Sequence, residues 1–188
     1  MRAFLLGLLN KCMMITWRQF LEKTEHEFSS TQVNLPALIA KRVRAWGKEF
    51  VPDSALFPGE GREDEVHVTV LFGLHTNDVD EVRGVLRGVG PVKLRLGKSS
   101  IFEGDEFDVV KLGVVSADLV RLHKLLRGGC EHTLTHPKYV PHCTVAYVRK
   151  GLGRKFVGDD RFDGVEVVVG EVLFSDKFRV KSVIRLNK

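Results

Sequence analysis

At 188 residues, 44% of them hydrophobic and 28% charged, the chain reads as an ordinary soluble globular protein, one domain or a duplicated pair of small lobes, long enough to bury a sizeable core. A formal net charge of +5 suits a polyanionic ligand without demanding one. Three cysteines, Cys12, Cys130 and Cys143, are odd in number and lack C-x-x-C spacing, so they read as reduced thiols of a cytosolic protein and not as a disulfide frame or a zinc site.

Residues 1–27 read as a helical appendage. Arg2 ahead of Ala3-Phe4-Leu5-Leu6-Gly7-Leu8-Leu9 imitates a signal sequence. The run breaks at Asn10-Lys11, lacks a cleavage site and is too short to cross a bilayer. Trp17, Phe20 and Leu21 then fall at helical spacing. From Phe28 the pattern changes, and residues 28–34 form a Ser/Thr/Gln/Val run of strand character. Pro36 opens a helix to Phe50 that places Ile39, Val43, Trp46 and Phe50 on one face and Lys41, Arg42, Arg44 and Lys48 on the other. Pro52, Pro58, Gly59 and Gly61 mark a loop before a β-branched strand at 66–72. A helix over Asn77–Arg87 carries acids in its first turn and arginines later, as the helix dipole favours.

Val92, Leu94 and Leu96 alternate with polar residues, the period of a half-buried strand. After a turn near Gly104-Asp105 comes a strand at 107–115. Ser116 caps a helix over 117–127 that stops at Gly128-Gly129. A strand at 141–148 and a Gly/Lys loop follow. The chain closes with strands Val165–Phe174 and Phe178–Leu186, turning at Ser175-Asp176-Lys177.

Within this order the chain repeats itself. Strand 28–34, helix 36–50 and strand 66–72 correspond to strand 107–115, helix 117–127 and strand 141–148. Both units end on the same H-x-T pattern, His67-Val68-Thr69 and His142-Cys143-Thr144. In a strand, residues i and i+2 share a face, roughly 6.6 Å apart. Each motif therefore points a histidine and a threonine one way and buries Val68 or Cys143 behind them. Two such strands side by side present two imidazoles and two hydroxyls on one polar floor. Cleaving a phosphodiester needs a base for the attacking oxygen and an acid for the leaving one. Two histidines divide those roles near neutral pH, each worth about 10²–10⁴-fold. Threonine hydroxyls donate to the non-bridging oxygens as charge builds there. This chemistry requires no metal, and the sequence offers no H-E-x-x-H motif. The spacing leaves open which histidine is acid and which is base.

Val66-His67-Val68-Thr69-Val70 and Pro141-His142-Cys143-Thr144-Val145-Ala146-Tyr147 resemble the signature motifs of the 2H phosphoesterase superfamily, the LigT-like or 2′-5′ RNA ligase-like proteins. The resemblance covers residues 28–188. It implies an α+β, bilobal fold of duplicated strand-helix-strand units, with two antiparallel sheets facing a central cleft. It also implies metal-independent, cofactor-free chemistry on 2′,3′-cyclic phosphates, 2′-5′ linkages or cyclic oligonucleotides. By motif position His67 and His142 become the acid and base, and Thr69 and Thr144 the phosphate binders. Some relatives from phages degrade cyclic nucleotide signals of antiviral defence; no residue here selects that role.

Four further residues are candidates for substrate contact. Tyr139 is placed to overhang the site and stack on a base, or to pack on its own loop's prolines. Arg62 and Lys138 each precede a motif within reach of a phosphate. Thr31, with Ser29 and Gln32, lies on a strand that the repeat sets near the floor. The expectation is a cytoplasmic monomer that meets no membrane and hydrolyses a nucleotide or short RNA. The alternatives are an RNA end-processing or 2′-5′ ligating enzyme, and a module that only grips phosphate.

Overall fold

The computed structural model describes residues 27–134, 136 and 138–187; the appendage expected at the N-terminus, with Cys12, lies outside them up to residue 26. Eight strands and three helices follow one another as β1 (Ser29–Asn34), α1 (Ala37–Phe50), β2 (His67–Leu74), α2 (Val79–Val85), β3 (Val92–Glu103), β4 (Phe107–Val115), α3 (Ala117–Gly129), β5 (His142–Arg149), β6 (Glu166–Val169), β7 (Glu171–Ser175) and β8 (Lys181–Arg185). In α1 the buried stripe is Ala40, Val43, Trp46 and Gly47, while the four basic residues of the opposite face are exposed. The Ser116 hydroxyl accepts the Leu119 N–H at 3.0 Å and caps α3, whose Leu119, Leu122 and Leu126 are buried. No helix among the described residues is long and apolar enough to cross a membrane.

The strands pair antiparallel in the order β6-β3-β4-β5-β2-β1-β7-β8. The two sheets that the resemblance implies are the two four-stranded halves of this array. They meet at β2 and β5 through one register pair, Val68 with Cys143. Within each repeat the outer strand pairs with the motif strand, β1 with β2 and β4 with β5, so a pseudo-two-fold axis runs through the seam.

Contact at the seam is brief because other chain occupies its flanks. The segment leading into β2 pairs with β5: the Phe57 N–H donates to the Tyr147 carbonyl at 2.9 Å and the Glu63 N–H to the Val145 carbonyl at 3.0 Å. The segment leading into β5 pairs with β2 in the same manner, Thr133 N–H to Gly73 carbonyl at 2.8 Å and His75 N–H to Glu131 carbonyl at 3.1 Å. Each motif strand is thus edged by its twin's lead-in. The helices cross the axis as well. Gly47 of α1 abuts Val145 of β5 so closely that a Cβ there would sit 2.7 Å from the valine side chain, and His123 of α3 donates from Nδ1 to the Val70 carbonyl of β2 at 2.7 Å.

One expected element divides. Val165–Phe174, read as a single strand, breaks at Gly170 into β6, which pairs with β3, and β7, which pairs with β1 in the other half. The buried residues change parity there, from Val167 and Val169 to Val172 and Phe174, so no single strand could bury all four.

Candidate active site

Register builds the floor. Residues directly opposite on antiparallel strands share a face. Lys111 pairs with Thr144 and Gly113 with His142, while Asn34 pairs with His67 and Gln32 with Thr69. One step either side of the Val68–Cys143 pair sets Thr144 beside His67 and His142 beside Thr69. Two rows therefore cross the four central strands, Lys111-Thr144-His67-Asn34 and Gly113-His142-Thr69-Gln32. Behind them Val68, Val70 and Cys143 are fully buried. The alternation that anchors the core is the one that lifts both motifs out of it.

The two imidazoles are held identically. Nδ1 of His67 lies 2.5 Å from the Glu65 carbonyl, and Nδ1 of His142 lies 2.7 Å from the Val140 carbonyl. A carbonyl oxygen only accepts, so each ring carries its proton on Nδ1, and in the neutral form Nε2 keeps a free lone pair. Burial pushes the His142 imidazolium below the usual histidine range; Lys111, His67 and His136 add to the shift, and the Val140 carbonyl opposes it.

Above His142 opens a cavity of about 650 Å³ whose floor includes Thr69, His142 and Thr144 and whose walls include Phe102, Phe107, Tyr139 and Tyr147. Phe102 meets the His142 ring edge-on, centroids 4.8 Å apart. Phe107 meets Tyr147 at 5.4 Å and is backed by Phe57 at 5.1 Å. His67 lies outside this lining, which takes Thr69 to Phe72 from β2 and His142, Thr144 and Tyr147 from β5.

The other expected residues divide. Lys138 lines the cavity and is exposed. Tyr139 lines it too, neither lying free above the site nor resting only on its loop: its hydroxyl donates to the Thr69 carbonyl at 3.0 Å and its ring stacks on His123 at 4.1 Å. Arg62 does not join them. Its guanidinium donates to Asp53 at 2.6 Å and to the Val51 carbonyl, on the opposite flank of β5. Thr31 is also displaced from the expected place. It is fully buried, with its hydroxyl on the Leu71 carbonyl at 3.4 Å, because it shares parity with core residue Val33. Gln32 and Asn34 take the floor positions instead. Among the described residues no three His, Cys, Asp or Glu side chains gather as a metal-binding group.

Sequence reasoning missed Lys111 and the chain beside His67. There Gln32 donates to Asn34 at 2.7 Å, Asn34 donates to Glu65 at 2.9 Å, and Lys181 pairs with Glu65. These contacts and burial act on the Glu65 carboxyl, burial raising its pKa and the Lys181 and Asn34 donors outweighing it, so it lies below its ordinary value. Lys111 was within reach of the repeat, since Gln32 and Lys111 stand 79 positions apart, the offset of the two outer strands.

Comparisons with known proteins agree with this geometry. A family model described as the 2′-5′ RNA ligase superfamily matches residues 35–157, a stretch that holds both motifs. Among solved structures, TT0787 of Thermus thermophilus superposes with a TM-score of 0.60 at 18% identity, covering 84% of this chain and 95% of that one. E. coli LigT complexed with 3′-AMP gives 0.57 at 20% identity, and LigT complexed with phosphate gives 0.56 at 18%, each covering 87% of this chain and 96% of LigT. No curated protein matches the chain. With the family model spanning both H-x-T strands and well over half of the sequence, this chain belongs to the 2′-5′ RNA ligase superfamily, the LigT-like 2H phosphoesterases.

Proposed function

We propose that the chain is a metal-independent phosphodiesterase acting on a nucleotide, with His142 as base and His67 as acid in the hydrolytic direction. One observation carries the reading: two histidines on adjacent strands, each fixed through Nδ1 by the carbonyl two residues before it, with a threonine across the seam from each. His142, whose protonated form is disfavoured, takes the proton of the attacking water on Nε2. His67 delivers a proton to the leaving oxygen as the P–O bond breaks. Thr69 and Thr144 donate to the non-bridging oxygens. The aromatic cavity beside His142 suits a nucleobase, which stacks on such walls whatever its edge. That E. coli LigT was crystallised with 3′-AMP and with phosphate supports this substrate class. The single exposed lysine on the cavity lining, Lys138, also favours a small nucleotide over a long RNA, which needs an extended basic track.

Incubation with a chelator and a panel of 2′,3′-cyclic mononucleotides, 2′-5′ oligoadenylates and cyclic di- and trinucleotides, read by chromatography, tests the reading. Wild type cleaves at least one member, and His67→Ala and His142→Ala each lose at least ~10²-fold in turnover while keeping the wild-type melting temperature. Near-wild-type turnover by either variant overturns the acid–base assignment. Tight binding with no cleavage of any member favours a phosphate-gripping module instead.

A further inference from the structure

We propose that Lys111 is an anion anchor of this site, a buried ammonium that supplies the positive charge for the phosphate held at Thr144. The inference rests on the cleft being a phosphate site and names the residue that neutralises the ligand there.

Lys111 lies on β4 beside Thr144 and shares its face. It is only 6% exposed. Burying an ammonium is costly unless an anion or several acceptors replace its water. Here the acceptors are few. Nζ donates to the Ser100 hydroxyl at 2.9 Å and sits 4.2 Å from the Phe102 ring centroid. Among the described residues no carboxylate forms an ion pair with it, in contrast to Arg62 with Asp53 and Lys181 with Glu65. An ammonium has three N–H donors, and one hydroxyl and one aromatic face leave it short of a counter-charge. Burial accordingly pushes the Lys111 ammonium below the ordinary lysine range.

The surroundings say what would complete it. Phe102 touches both groups, taking the ammonium over its ring face and meeting the His142 ring in a T-shaped contact at 4.8 Å. The cation is thus one side chain from the imidazole and one register position from the hydroxyl. A phosphodiester brings one negative charge, and the pentacoordinate transition state spreads a second over the same oxygens. A fixed cation in a dry site acts on that charge far more strongly than it would in water. The pseudo-two-fold axis supplies an internal control. The position equivalent to Lys111 is Gln32, a neutral amide already bonded to Asn34. The floor is therefore electrostatically lopsided, with its cation on the side where the cavity opens.

The test uses inorganic phosphate as probe, by calorimetry on the full chain, with no turnover required. Lys111→Met keeps the side chain's length and removes its charge. Phosphate affinity should fall by about tenfold or more, and Lys111→Arg should recover part of it. In the same samples an NMR titration of the His142 ring should move its midpoint upward in Lys111→Met. The charged groups facing that ring are Lys111 from β4, His67 from β2 and His136 from the preceding loop, so only the first is altered. If Lys111→Met fails to fold, Lys111→Gln, which keeps a polar end for Ser100, carries both measurements.

Unchanged phosphate affinity in a folded, uncharged variant overturns the proposal whatever happens to its melting temperature. So does a wild-type protein that binds no phosphate. Cleavage of the nucleotide panel with phosphate affinity indifferent to Lys111 defeats this proposal alone. Lys111-dependent phosphate binding without any cleavage defeats the phosphodiesterase reading alone.

Discussion

Two backbone carbonyls, those of Glu65 and Val140, aim the reactive imidazoles, and each belongs to the residue two before its histidine. His132 makes the same bond to the Cys130 carbonyl at 3.0 Å, yet it lies off the floor. The local bond orients a ring; the seam decides whether that ring has a partner. With His142 as the base proposed above, protonating it would abolish the reaction. Its protonation is disfavoured first by burial and then by Lys111, His67 and His136, so the proton binds at lower pH than it does on a free histidine. The acid limb of a kcat/KM profile on any cleaved panel member should therefore fall below pH ~6.5. A limb at or above that value would show that His142 is not the group titrating as base.

At the scale of elements, the lead-in segments matter as much as the strands. Residues 131–133 are clamped to the end of β2 by the Gly73–Thr133 and His75–Glu131 backbone bonds, and Tyr139 and Val140 reach the site further along the same connection. Gly73 adopts φ +102°, and a Cβ there would lie 2.1 Å from the Thr133 carbonyl oxygen. Neither the backbone conformation nor the contact tolerates a side chain. Gly73→Ala should cost roughly 1–3 kcal/mol of stability, read by chemical denaturation. It should also raise KM, as Tyr139 and the Val140 carbonyl shift with the loop. Wild-type stability and kinetics in that variant would mean that the clamp does not hold the site.

Across the whole molecule, the site straddles a seam held directly by one register pair and otherwise by chain borrowed from the opposite unit. A ligand that touches Thr69 on one half and Thr144 on the other ties the halves together and binds only the folded state. At a hundredfold excess over its Kd, a nucleotide bound in this way should stabilise the protein by about 2.7 kcal/mol, a rise of roughly 5–10 °C in melting temperature for a chain of this size. Thermal unfolding with and without the nucleotide measures this. The Thr69→Ala/Thr144→Ala variant should show a much smaller rise at the same concentration; an equal rise would place the nucleotide elsewhere.

The sequence by itself determined most elements of residues 28–164 and the shared face of the two residues in each motif, because period-2 and period-3.6 burial patterns are local and the H-x-T parity is legible within a single strand. His67 and Thr69 alternate with Val68 and Val70, and His142 and Thr144 with Cys143 and Val145. The same parity already separates Gln32 from Thr31 and Lys111 from Val110 and Leu112, although a lysine between apolar residues reads most simply as a solvated charge. Only the tertiary structure decided that Lys111 is buried beside Thr144, that Arg62 is engaged by Asp53, that Tyr139 is anchored on Thr69, and that residues 165–174 serve both halves of the sheet. Each of these depends on which strand lies next to which, and register between segments distant along the chain is set by the packing of the whole core, not by any window of sequence.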